Sequence, residues 1–268
     1  MALAEVGPRN ARTDSETGLR YYTWQGKEYP SMTSLLSIAG GVRFPIHQWA
    51  ITQVVNRAVD NVGDLNRMLT QDDPKVIAAA KTWLRRASTE ARDTAADLGS
   101  RVHAAATGNL GLGQVSPDIV PYLRQYRNWV DVMKPDIIAV EQQVFNLTKG
   151  YAGSFDVAAR MPDHRSVVID IKTGKGTYPE HALQVCGYAL AEFVGEDDVI
   201  DARATEWLLN ANGMALLHLR PDGWEWQEVE VTRDLTRAFN AMLVHSLWNH
   251  QQQNKVDGLV LHSQKGKA

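Results

Sequence analysis

Residues 151–160, YAGSFDVAAR, and residues 166–172, SVVIDIK, followed by residues 179–189, PEHALQVCGYA, decide the fold. The stretch reads as strand, turn, strand, turn, helix. Pro162-Asp163-His164 supplies the first turn, and Thr173-Gly174 stops the second strand. Val167, Val168 and Ile169 form a continuous apolar run, which suits a strand buried on both faces. Side chains alternate along a strand, so Asp170 and Lys172 share one face and Ile171 takes the other. A carboxylate and an ammonium at the end of such a strand sit in a partly dry setting. Burying either charge alone costs several kcal/mol, roughly, so each needs a partner or a metal.

Asp156 lies on the preceding strand. If the two strands pair as a hairpin, Asp156 and Asp170 meet near one point. Two carboxylates that close repel, and a divalent cation relieves them. Oxygen ligands favour Mg²⁺ or Mn²⁺. Lys172 suits a water or a phosphate oxygen rather than the metal. Gln184 and Tyr188 stand one helical turn apart and so face the same side of their helix.

The ordered set Gly153-x-x-Asp156, apolar run, Asp170-x-Lys172, then Gln184-x-x-x-Tyr188 resembles the PD-(D/E)xK nuclease superfamily, in its RecB-type exonuclease branch. The resemblance implies an α/β fold, a central mixed β-sheet flanked by helices with a helical N-terminal elaboration. It implies phosphodiester hydrolysis with one or two Mg²⁺ or Mn²⁺ ions. His103, in the helical Gly99-x-x-x-His103 pattern, would then be a ligand beside Asp156, Asp170 and the carbonyl of Ile171. Without the resemblance, a lone helical histidine reads as a bystander. Glu141, on the strand before Gly153, would hold a lysine, orient a water or reach the metal. Its plainer reading is an edge glutamate in salt contact. Gln184 and Tyr188 would touch substrate or brace Lys172, and packing against the sheet is the plain role of Tyr188. Asp170 replaces the more common glutamate of the motif. It is one methylene shorter, which would draw the metal toward the strand.

Further N-terminal features keep the family order: Tyr29-Pro30-Ser31-Met32-Thr33 before a leucine pair, and a tryptophan helix at Trp49. They are similar to the mitochondrial genome maintenance exonucleases and their phage and bacterial relatives. That similarity implies DNA as partner, as single strands or ends, in phage or bacterial recombination, repair or replication. A single-strand annealing recombinase would be a fitting partner. Ser31 and Thr33 either cap the following helix or grip a phosphate at its start. Trp24, Tyr178 and the Trp129 helix offer rings for stacking on unpaired bases. A structure- or sequence-specific endonuclease on the same core, and a catalytically silent nucleic-acid-binding module, remain as alternatives.

Composition narrows the field. The chain has 268 residues, 44% hydrophobic and 22% charged, as in ordinary globular proteins. A net charge of −3 argues against coating nucleic acid through bulk positive charge, though not against a local basic groove. The one cysteine, Cys186, precludes an internal disulfide framework. It also precludes the four-cysteine iron–sulfur cluster of the CRISPR adaptation nucleases in this branch, so no iron–sulfur cluster is expected from the chain's own residues. No apolar run reaches the roughly 18 residues of a membrane helix, and no apolar signal core opens the chain. The expected setting is cytoplasmic, in a bacterial or phage-infected cell, with no membrane partner.

Along the chain, residues 1–20 read as a flexible arm. Residues 21–134 read as the helical N-terminal part, with a hairpin at Gln25-Gly26, a helix from Pro45 and a long helix from Val76 to about Thr107. Residues 135–262 read as the nuclease core. Within it, Ile137–Leu147, Glu206–Leu209, Met214–Arg220 and Trp224–Val231 are expected strands, the last of them at the sheet's edge. Residues 263–268 read as a tail.

Overall fold

The computed structural model describes residues 11–40, 44–71, 73–108 and 110–252. The expectations for residues 1–10 and for the tail lie outside these. The chain is α/β, and its centre is a seven-stranded mixed sheet flanked by helices. Strand β5 (Tyr151–Arg160) pairs antiparallel with β6 (Ser166–Lys172) through the 162–164 turn, and β4 (Asp136–Asn146) lies on the other side of β5. Strand β9 (Gly213–Arg220) runs parallel to β6, and β10 (Gly223–Val229) closes that edge. Short β7 (Phe193–Glu196) and β8 (Val199–Ile200) extend the other edge, giving the order β10-β9-β6-β5-β4-β7-β8. The central position of β6 explains its uninterrupted apolar run: residues 167–171 are all buried.

Helices α1 (Met32–Gly40), α6 (Pro179–Ala189), α7 (Ala202–Leu209) and α8 (Arg233–Gln252) cover one face of the sheet. The long helix α4 (Pro74–Thr107) and α5 (Val120–Met133) cover the other. Asp73 caps α4 by accepting the Lys75 N–H at 2.8 Å, and Pro74 takes its first position. Helices α2 (Phe44–Asp60) and α3 (Val62–Leu69) pack along α4. A small sheet of β1 (Ala11–Thr13), β2 (Arg20–Trp24) and β3 (Lys27–Pro30) packs through Tyr22, Trp24 and Tyr29 onto Phe145, Ala152 and Phe193. No described helix is long and apolar enough to cross a membrane.

Two segments depart from expectation. Residues 11–20 are ordered as β1 and a turn in which Asp14 Oδ1 accepts the N–H groups of Glu16 and Thr17, not as an arm. A three-residue strand is too short to show alternation. Residues 206–209 are the second half of α7, not a strand. Asp201 starts that helix by accepting the Ala204 N–H at 2.8 Å, and a four-residue window cannot separate the two periods.

Candidate active site

The alternation of β5 breaks at Asp156. Tyr151 and Phe155 pack on the α6/α8 side, whereas Val157 and Ala159 pack on the α4/α5 side. The register of β4 with β5 runs Val140↔Val157 and Gln142↔Phe155, which leaves Glu141 opposite Asp156 but outside the ladder. Glu141 has φ +50, a left-handed conformation uncommon for a side-chain-bearing residue. On the other flank, the β5–β6 pairing ends at Val157↔Ile169, one pair before Asp156 and Asp170 would face each other. Asp156 therefore occupies a local opening among three strands.

That opening turns the Asp156 carboxylate toward α4. Its Oδ1 lies 3.1 Å from His103 Nδ1, and its Oδ2 accepts the backbone N–H of Ile171 at 2.5 Å. One turn beyond His103, the Thr107 hydroxyl donates to the His103 carbonyl at 2.8 Å and lies 3.4 Å from Glu141 Oε1. His103, Glu141 and Asp156 each bring one ligand atom to within 4.8 Å of the others.

Asp170 turns the other way, toward α6. Lys172 Nζ lies 2.5 Å from Asp170 Oδ2 and donates to Gln184 Oε1 at 2.9 Å. Gln184 Nε2 donates to Asp170 Oδ1 at 2.9 Å and to the Tyr188 hydroxyl at 2.6 Å, and that hydroxyl lies 3.5 Å from Asp170 Oδ1. Gln184 and Tyr188 are buried, and Gln184 bridges Asp170 and Lys172. Gly153 is needed beside them. A Cβ there would lie 2.8 Å from Tyr188 Cε1.

Electrostatics separates the acids. Burial pushes the Glu141 carboxyl up to about 7, and the charge of Asp156 adds to the rise. Burial also raises Asp170, against the pull of Lys172, and the Asp156 charge adds to it. Burial alone would raise Asp156, but the His103 imidazole, Lys172 and the Ile171 N–H outweigh it and hold the carboxyl low. Burial works against a charged His103, yet the Asp156 carboxylate raises its pKa by charge and hydrogen bond. The site is thus a recessed cluster of three carboxyl groups with one imidazole and one ammonium.

The sequence-based set is only partly gathered. His103 and Asp156 meet as expected, and Glu141 joins them. Asp170 lies outside that three-residue group, its Oδ1 accepting the Gln184 amide, while its charge still acts on His103 and it feels the charge of Asp156. Ile171 contributes its N–H, while its side chain is buried in the α4/α5 core. Ser31 caps α1: its hydroxyl accepts the Ser34 N–H at 3.1 Å and is buried, while Thr33, 3.0 Å away hydroxyl to hydroxyl, is exposed. Trp24 and Trp129 are core residues rather than stacking platforms. Trp24 packs on Phe145 and Phe193, and Trp129 stacks on Trp226. Tyr178 is 51% exposed.

One contributor escaped sequence reading. The Tyr22 hydroxyl feels the charges of Arg20, Glu141 and Asp156, so the small sheet brings a cation near the site.

One imidazole and two carboxylates form a donor set that suits a divalent cation. The raised carboxyl of Glu141 marks negative charge that a dication would offset. The three residues therefore fit such an ion.

No family model matches the chain, and no curated protein matches it. Among solved structures, the crystal structure of SSO0001 aligns with 55% of this chain and 69% of that one, at 17% identity and a TM-score of 0.31. A likeness that loose carries no argument.

Proposed function

We propose that the chain is a Mg²⁺- or Mn²⁺-dependent DNA exonuclease of the PD-(D/E)xK superfamily, RecB-type, acting on single strands or ends. The observation that carries this reading is the adjacency of two groups. His103, Glu141 and Asp156 form one, and Asp170, Lys172, Gln184 and Tyr188 form the other, joined by the Asp156 to Ile171 N–H bond.

His103, Glu141 and Asp156 would hold the cation. When bound, it would supply Lewis-acid polarisation of a phosphate oxygen and lower the pKa of a nearby water. The protein's own part is positioning. The Ile171 N–H fixes one oxygen of Asp156, and the other oxygen orients the His103 ring. Asp170 and Gln184 hold the Lys172 ammonium in one place, where its charge would offset negative charge growing on phosphate oxygens in the transition state. Burial of Asp170 and Asp156 keeps these interactions in a low-dielectric setting.

The setting that follows from this reading is the cytoplasm of a bacterial or phage-infected cell, in DNA recombination, repair or replication. A single-strand annealing protein would be a natural partner, because it consumes the strands that an end-digesting nuclease exposes.

The test is purified protein with Mn²⁺, given end-labelled single-stranded DNA, end-labelled duplex and a covalently closed circle. Mononucleotides or short oligomers released from the linear substrates, with the circle intact, are expected. Discrete cuts in the circle would replace the reading with an endonuclease. No cleavage of any substrate would remove it.

A further inference from the structure

We infer that the exposed side of α4 from Lys81 to His103 is a track for the phosphate backbone of single-stranded DNA, leading the strand into the candidate active site. The inference rests on the nuclease reading for its destination. It adds a binding surface remote from the reacting groups.

The track follows from helix geometry. At 3.6 residues per turn, Lys81, Arg85, Thr89, Arg92, Ala96 and Gly99 fall within about 40° of His103 around the α4 axis. From Lys81 to His103 they span about 33 Å at 1.5 Å per residue. Lys81, Arg85, Thr89, Arg92 and Ala96 are exposed, and Gly99 and His103 are half-buried where the helix meets the sheet. The opposite side of α4 is the one that packs. Ala80 and Ala87 are buried there, and Arg57 of α2 donates to the Trp83 carbonyl at 2.9 Å and pairs with Glu90 at 2.6 Å. Helix α2 therefore leaves the His103 side open.

Charge is sorted in the same way. Glu90, Asp93 and Asp97 all lie on the flanks or the back of α4, and no acid falls within the 40° sector between Lys81 and His103. Lys81 and Arg85 have no ion-pair or hydrogen-bond partner among the described residues, and Arg92 pairs only with its neighbour Asp93. Three cations in line on a chain of net charge −3 form a local positive field that suits a polyanion. Nearer the site the residues shrink to Ala96 and Gly99, which lets a backbone approach closely. The Gly99 position lies beside Thr173, 3.1 Å from an added Cβ to Oγ1, so the track reaches the end of β6 at the residue after Lys172. Exposed Tyr178, a few residues on in the same loop, offers a ring face to an unpaired base. The recessed acids at the end of the track favour a single strand over a duplex, whose second strand would hold the scissile phosphate away.

The test compares the full chain with Lys81→Ala/Arg85→Ala/Arg92→Ala. A control of equal charge change is Arg86→Ala/Arg220→Ala/Arg237→Ala. Alanine is favourable in exposed helix, where every substituted position but Arg220 lies, and thermal melts check that both fold. Binding of labelled oligothymidylates, roughly 3 to 20 nucleotides long, is read by anisotropy in EDTA across a salt series, so that no cleavage is required. The track predicts that the lane variant loses at least tenfold affinity for the longest oligomer. Its salt slope should fall by about 2, from about 0.7 for each of three lost phosphate contacts. The control should match wild type in both affinity and salt slope. Wild-type affinity and salt slope in the lane variant would overturn the track. So would equal binding of a duplex of the same length. Failure of the nuclease reading shows separately, as wild type that cleaves nothing with Mn²⁺ while the binding series still reports on the track.

Discussion

Asp156 accepts the backbone N–H of Ile171 at 2.5 Å, across the place where β5 and β6 have stopped pairing. This bond replaces the cross-strand pair that a regular hairpin would have made. It ties the carboxylate to the strand that carries Asp170 and Lys172, while leaving its other oxygen to His103.

Asp156→Asn tests that division of labour. An amide oxygen still accepts the Ile171 N–H, so the fold should survive with a loss of about 1 kcal/mol or less, whereas Asp156→Ala orphans a buried donor at about 1–3 kcal/mol. The charge that anchors a cation is gone in both. Calorimetric titration with Mn²⁺ should show affinity down at least tenfold in Asp156→Asn, and nuclease rate down by orders of magnitude. Unchanged Mn²⁺ binding would remove Asp156 from the ligand set.

Gln184→Ala should act on rate more than on binding. The side chain holds Lys172 and Asp170 at once, and deleting it leaves both to an unbraced ion pair. A loss of about 1.5–3 kcal/mol in stability is expected for hydrogen bonds to charged groups. If Lys172 works through its position, kcat should fall roughly ten- to a hundredfold with KM little changed. A rise in KM alone would mean that Gln184 serves binding instead.

The backbone of this unit was legible, and the convergence within it was not. The bounds of β5, β6 and α6 follow from an apolar run punctuated by Pro162, Gly174 and Pro179. The contact of Gln184 with Tyr188 follows from one helical turn. Glu141 beside Asp156 depends on a positive φ and a slipped alternation, and strand-pattern reading presumes neither. The bond of Asp170 to Gln184 likewise depends on side-chain geometry that a strand pattern does not carry. The Ser31 cap and the burial of Trp24 and Trp129 were settled only by tertiary packing.

Gly153→Ala should destabilise the protein by about 1–3 kcal/mol, the usual cost of overpacking. The added methyl meets Tyr188 Cε1 at 2.8 Å with Met32 Cβ at 3.7 Å beyond it, so the ring has to move off Gln184. Thermal melts should show the lower midpoint. Gly153→Ala/Tyr188→Leu should recover part of it, because the smaller side chain removes the clash. A single variant as stable as wild type would mean the ring has room that the geometry denies it.

The last expectation concerns pH. Glu141 is raised from 4.5 to about 7 by burial and by Asp156. Between those values the folded chain keeps a proton that the unfolded chain has released. In metal-free protein, stability should therefore be greatest below about pH 4.5 as far as Glu141 is concerned. It should fall as pH rises to about 7 and level off above, by on the order of 1–3 kcal/mol. His103, whose pKa is raised by Asp156, adds a fall in the same direction at higher pH. Asp156, held low, matters only when pH drops through the acid range. Melts in EDTA from pH 4.5 to 7.5 should slope downward for wild type and less steeply for Glu141→Gln, which carries no charge to bury. Saturating Mn²⁺ should reverse the wild-type trend, because a cation bound by deprotonated ligands stabilises the fold more as pH rises. Parallel slopes for wild type and Glu141→Gln without metal would show that Glu141 ionises as freely in the fold as in the unfolded chain, and would take it out of the buried cluster.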